Sequence, residues 1–208
     1  FLNLQSRIFQ NYSQLNCPIK SIQIGYFGQS NSTNTVSNLS SSRALREVTH
    51  KHGGQYFSSA VGEVNVVTQM KQSKAIIGGE GNGGVIYPSS HYGRDALVGI
   101  ALFLTHLAKK NMSISELRAS YPNYVISKNK VELTPSIDID NLVSKISKKY
   151  SHVEQNVIDG LKLEFEDEWV HLRKSNTEPI IRIYAESKDV EKANMLASRF
   201  VEEVKSLM

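Results

Sequence analysis

The sequence predicts an α/β protein, with a layered α/β domain followed by a small α+β domain whose sheet is covered by two helices. Three observations carry this. Short apolar runs alternate with helical patterns through about residue 120, the grammar of strands and helices stacked in layers. From Tyr121 the chain changes character, with one strand and one helix followed by several strands and a final amphipathic helix. Hydrophobic residues at 40% and charged residues at 21% are ordinary for a soluble globular protein and enough to build a core. The expected organisation is an unassigned segment at residues 1–31, an α/β domain at 32–120 and an α+β domain at 121–208.

The first 46 residues contain no Asp or Glu, and Ser, Asn and Gln dominate the opening. Ile19 to Phe27 alternates as a strand would, and QSNSTN after it reads as a loop. Next, TVSNLSSS begins as a strand and ends in serines able to cap a helix from Arg43 to Lys51. Ala44, Leu45 and Val48 would face inward there, and Gly53-Gly54 would stop the helix. QYFSSAVG is a strand, and Gly62 to Lys71 a helix with Val64, Val67 and Met70 inward. AIIGG is a strand, followed by a glycine loop and the extended VIYP. Asp95 would cap a buried helix ending near Asn111, and Ser115 to Ser120 a short one.

In the second domain NYVISKNKVEL is a strand and Ile139 to Tyr150 a helix. GLKLEFED and EWVHL form a hairpin, and Ile181, Ile183 and Ala185 alternate with Arg182 and Tyr184 in a further strand. The closing helix repeats Val190, Ala193, Ala197, Phe200, Val204 and Leu207 at three and four, with Ser187 as its cap.

Composition excludes several classes. A net charge of +4 is too small to argue for nucleic acid, and no basic stretch carries interleaved aromatics. The single cysteine, Cys17, offers neither an internal disulfide nor a thiolate metal cluster, as in a reducing cytoplasm. Ala96 to Ala108, the most apolar stretch, is shorter than the roughly 20 residues a membrane span needs. No targeting segment is evident, so a cytoplasmic protein is expected.

Two loops carry candidate chemistry. Gly79, Gly81 and Gly84 have the spacing of a dinucleotide fingerprint, but the chain continues as Val85-Ile86-Tyr87-Pro88 instead of opening a helix, so NAD is rejected. What remains is Glu80 and Asn82 in a loop whose glycines allow close backbone approach. Carboxylate and amide suit adjacent sugar hydroxyls, and a plain tight turn is the alternative. The second loop is RKSNTEPIIRIYAE, Arg173 to Glu186. Arginine forks, hydroxyls and turn N–H groups suit phosphate oxygens, and a solvated hairpin is the alternative.

Together, VGEVNVV (Val61 to Val67), GGEGNGGVIYPSSHYGRDALVGIALFL and RKSNTEPIIRIYAE, in this order and spacing, resemble the C-terminal half of the α-D-phosphohexomutase family. That family includes phosphoglucomutases, phosphomannomutases and phosphoglucosamine mutases, and the resemblance covers roughly Asn34 to Met208. It implies four domains around a cleft, of which this chain resembles the third and fourth. It implies that Glu80 and Asn82 read sugar hydroxyls, with Gly62 and Glu63 near the sugar. It implies that Arg173, Ser175, Asn176, Thr177 and Arg182 clamp the phosphate that is not reacting.

The family transfers phosphate through a phosphoserine in its first domain, with Mg2+ held by D-x-D-x-D in its second. Neither motif occurs here, and Asp138 with Asp140 is only half of the second. The resemblance therefore implies an isomerase fragment with no catalytic residue or metal ligand of its own, inactive alone. Its partners would be a hexose phosphate or bisphosphate and the N-terminal domains of the same enzyme, with no nucleic acid and no membrane. A stand-alone, non-catalytic sugar-phosphate-binding module is the second reading.

Overall fold

A computed structural model describes residues 34–133, 137–175 and 177–208. The expected strand at Ile19 to Phe27 and the candidate Asn176 lie outside the described residues. The chain divides into two compact units between Asn123 and Tyr124.

The first unit is built on a five-stranded sheet of order β2-β1-β3-β4-β5. Its strands are β1 (Thr35–Asn38), β2 (Tyr56–Ser59), β3 (Ile77–Gly79), β4 (Val85–Tyr87) and β5 (His91–Arg94). β1 pairs in parallel with β2 and β3, because a helix crosses over between each successive pair. β3, β4 and β5 pair antiparallel across short turns.

Helices cover both faces. On one, Leu45 and Val48 of α1 (Ala44–Lys51) and Leu102 of α3 (Ala96–Lys110) pack with Ile77 and Val85. On the other, Val66 and Met70 of α2 (Glu63–Ser73) pack with Val36 and Ile86. The short α4 (Ile114–Ala119) opens with a complete capping box between Ser113 and Glu116.

The second unit is one antiparallel sheet of order β6-β10-β9-β8-β7. Its strands are β6 (Val125–Glu132), β7 (Glu154–Asn156), β8 (Leu161–Glu164), β9 (Trp169–Lys174) and β10 (Ile180–Ser187). Helices α5 (Ile139–Lys149) and α6 (Val190–Ser206) lie on one face. Leu142, Ile146, Ala197, Phe200 and Val204 meet Leu163, Val170, Leu172, Ile181, Ile183 and Ala185 there. Period two along the strands meets the three–four spacing of α6, which is why a single core forms.

The architecture is the α/β layer followed by a helix-covered sheet that the sequence predicts, with local corrections. The Ala96 to Lys110 helix is not buried: Leu97 is 78% exposed and Leu104 54%, and only Gly99 and His106 are enclosed. A nearly continuous apolar run shows no polar face by which to orient the helix. In α2 Met70 is buried and Val67 packs partly buried against the same cluster, as expected, but Val66 is inward in place of Val64, which is 77% exposed. Ser187 does not cap α6, because β10 runs through it; Asp189 does, accepting from the Lys192 N–H at 2.8 Å. Val190 in turn is exposed. Strands β5 and β7 were not expected at all. Asp95 caps α3 as expected, accepting from the Val98 N–H at 3.0 Å. Among the described residues no helix is long and apolar enough to cross a membrane.

Candidate functional site

The glycine loop closes a hairpin between β3 and β4, with Gly84 leading into a strand. Glu80 opens that loop and is only 6% exposed. Its Oε1 accepts from Asn38 Nδ2 at 2.9 Å and from the Gly62 backbone N–H at 3.0 Å. One carboxylate thus ties the end of β1, the start of α2 and the loop together. A solvated turn residue would not be held so. Gly62 needs its missing side chain, since its φ of 122° lies where other residues are strained.

Asn82, at the exposed tip, accepts from the Gly84 N–H through Oδ1 at 3.2 Å. Glu63 pairs with Arg94: Nε donates to Oε2 at 2.7 Å and the Arg94 backbone N–H to Oε1 at 3.2 Å. An open cavity of about 550 Å3 lies here, lined by Glu63, Gly83, Gly84, Arg94 and Asp95 among others. Beside it, the His91 ring bridges two groups: Nδ1 accepts from the Gly93 N–H at 2.9 Å and Nε2 lies 3.0 Å from Asp95 Oδ2. The Val98 N–H, then His91, hold the Asp95 carboxyl below its usual range. Gly62, Glu63, Glu80 and Asn82 are therefore gathered in one place. Asn38 and Arg94 join them, and no local pattern flagged either, since their partners lie 42 and 31 residues away.

In the second unit Arg173 and Arg182 stand directly opposite each other on β9 and β10. The loop between them is drawn tight. The Ser175 N–H donates to the Ile180 carbonyl at 3.0 Å, the Thr177 N–H reaches Ser175 Oγ at 3.5 Å, and Ile180 N–H donates to the Glu178 carbonyl at 2.8 Å across Pro179. That last bond makes an inverse γ-turn, which the fixed φ of proline suits. Ser175 is buried, and Thr177 and Glu178 are exposed. Each arginine faces a carboxylate: Arg182 Nη2 lies 2.8 Å from Glu178, and Arg173 Nε 3.8 Å from Asp159.

His171, one step from Arg173 on the same sheet face, is 2% exposed, and its Nε2–H donates to the Asp159 carbonyl at 2.6 Å. Burial pushes its imidazole down to about 4, with Lys162 and Arg173 adding to the effect. The unfolded chain takes up this proton near pH 6.5, so stability is complete above that pH and falls as pH drops towards 4. At full extent the gap corresponds to about 3 kcal/mol. Urea titrations followed by the single tryptophan, Trp169, are expected to show that loss between pH 7 and 4.5. A His171→Gln variant should show a flatter profile; equal pH dependence would remove His171 as its source.

Among the described residues no group of three or more His, Cys, Asp or Glu side chains is placed to hold a metal ion.

The two units are thus an α/β layer carrying a glycine hairpin and a helix-covered sheet carrying an arginine-bordered loop. The family model described as phosphoglucomutase/phosphomannomutase, alpha/beta/alpha domain III, matches residues 20–124, and that of the C-terminal domain matches 130–203. The chain belongs to the phosphoglucomutase/phosphomannomutase family.

A phosphoglucosamine/phosphogalactosamine mutase of Sulfurisphaera tokodaii is 39% identical over 165 residues, 78% of this chain and 36% of the relative. A phosphoglucomutase/phosphomannomutase of Thermococcus kodakarensis is 34% identical over 76% of this chain and 35% of its own length. The chain thus spans little more than a third of these relatives.

Among solved structures, a family protein from Burkholderia thailandensis superposes with a TM-score of 0.74 at 20% identity, covering 92% of this chain and 41% of that one. An Aspergillus fumigatus N-acetylphosphoglucosamine mutase, solved with GlcNAc-6P and magnesium, gives 0.66 at 16% identity, covering 92% and 44%. At these identities the likeness shows the fold.

Proposed function

We propose that this chain is the sugar- and phosphate-holding half of a phosphohexomutase that interconverts hexose 1-phosphate and hexose 6-phosphate. The observation that carries the reading is the register of Arg173 opposite Arg182 around the Ser175–Thr177 turn, in the unit that matches the family's C-terminal domain. Two planar forks and two hydroxyls offer donors around one tetrahedral anion, and charge-assisted bonds of this kind are each worth about 1.5–3 kcal/mol. The phosphate would take over the positions that the Glu178 and Asp159 carboxylates now hold. In the first unit, Glu80 and Asn82, backed by Gly62 and Glu63, would meet the sugar hydroxyls.

In the whole enzyme a phosphoserine supplied by the remaining domains passes its phosphoryl group to the free hydroxyl of the sugar, giving a bisphosphate. The bisphosphate turns over and returns its other phosphoryl group to the serine. A clamp of arginine forks and hydroxyls suits both steps, because it grips a phosphate whichever end of the sugar bears it. Magnesium would be held by those other domains, and this chain alone is expected to show no turnover.

Arg182→Ala is expected to weaken glucosamine 6-phosphate binding about tenfold or more, since about 1.4 kcal/mol is a factor of ten. Unchanged affinity in titration calorimetry would overturn the clamp.

A further inference from the structure

Beyond the two arginines, the sheet aligns a third cation with the loop. Lys130 on β6 is the direct partner of Arg182 on β10, which is the direct partner of Arg173 on β9. Directly opposed residues on adjacent antiparallel strands share a face, with Cβ atoms about 4.5–5.5 Å apart. Lys130, Arg182 and Arg173 therefore form one row across three strands, beside the Ser175–Thr177 turn. The alternation confirms the face, since Val131, Ile181, Ile183 and Leu172 all point into the helix-covered core.

Like charges directly opposed on a sheet repel, so a row of three is unfavourable unless something negative lies against it. Two of the three have carboxylates: Arg173 faces Asp159 and Arg182 faces Glu178. Lys130 is exposed and has no ion-pair partner among the described residues. Glu132, two residues along the same strand face, stands opposite Ile180. The next row shows the contrast, with Lys128 opposite Tyr184 and its Nζ 5.7 Å from the ring centroid.

We infer that Lys130 is a third phosphate-binding cation, completing the arginine pair from the β6 side. The inference rests on the proposed phosphate-holding role of this loop and adds to it a residue in no loop motif, on a strand about fifty residues earlier in the chain. The ammonium acts as a point charge with three rotatable donors, and needs no fixed geometry to reach an oxygen the two forks leave open.

The experiment titrates inorganic phosphate, and then glucosamine 6-phosphate, into the full chain and into Lys130→Gln, Lys130→Arg, Arg182→Ala and a distant control, Lys205→Gln. Lys130→Gln is expected to weaken binding about fivefold, with Lys130→Arg and Lys205→Gln close to the parent. Relief of repulsion should also raise the thermal midpoint of ligand-free Lys130→Gln by about 2 °C, opposite in sign to the loss of a structural contact. If Arg182→Ala loses binding while Lys130→Gln keeps it, Lys130 is no part of the clamp and the inference falls alone. Weakened binding with a lowered ligand-free midpoint would make Lys130 structural and also overturn it. If neither variant changes affinity, or the parent binds no phosphate, the clamp falls and Lys130 with it.

Discussion

Phe200→Ala is expected to lower the unfolding free energy of the second unit by about 3–5 kcal/mol, the range for deleting a buried aromatic side chain. Phe200 is fully enclosed, and its ring centroid lies 5.2 Å from that of Tyr150. Polar contacts prevent the site from collapsing onto the gap. Tyr150 Oη donates to Glu203 at 2.8 Å and accepts from Arg199 Nη2 at 2.9 Å, and Lys149 Nζ reaches the other Glu203 oxygen at 2.6 Å. These bonds fix the end of α5 against α6 beside the cavity the mutation would leave. Urea titration followed by Trp169 fluorescence measures the loss. A loss below about 1 kcal/mol would mean that α6 moves inward despite its pins.

Gly160→Ala is expected to rank next. Its φ of +79° costs a side-chain-bearing residue about 1–2 kcal/mol, and an added Cβ would stand inside contact distance of the Leu172 carbonyl oxygen, on β9. Backbone cannot step aside as a flexible side chain does, so overpacking adds about 1–3 kcal/mol. The displaced strand carries His171 and Arg173, and its neighbour Asp159 faces both, so phosphate binding should weaken in the same variant. Gly53→Ala is the control: its φ is +74° but nothing lies within 4 Å of a Cβ there. Equal losses in the two variants would show that the Leu172 contact does not matter.

Much of the fold was legible because its signals are local. The three–four spacing from Ala193 to Val204 reports one buried face, and Asp95 before an apolar run is a cap wherever that run is helical. What failed was orientation. Val64, Val66 and Val67 fit more than one stripe, and only packing against Val36 of β1 and Ile86 of β4 selects Val66 over Val64. Strands β5 and β7 escaped because HYGR and EQN have neither apolar alternation nor β-branched residues; pairing with β4 and β8 alone makes them strands. The candidate loops were visible by residue type, while Asn38, Arg94 and the Lys130 row are products of register and chain crossing, which no window of sequence contains.

The two interiors differ in a way that bears on the loops they support. The sheet of the first unit splits its apolar contacts into two small clusters, whereas the second unit gathers strands β6, β8, β9 and β10 and both helices into one. The strand that carries Arg182 is interior to its sheet and paired along most of its length on both sides, so it opens only with a large part of its unit. The strand that delivers Glu80 is only three residues long but is the middle one of its sheet, and the Glu80 carboxylate is held at Asn38 and Gly62. Both loops are thus carried by interior strands, and freedom to adjust to a ligand belongs to the exposed tip at Asn82 rather than to Glu80.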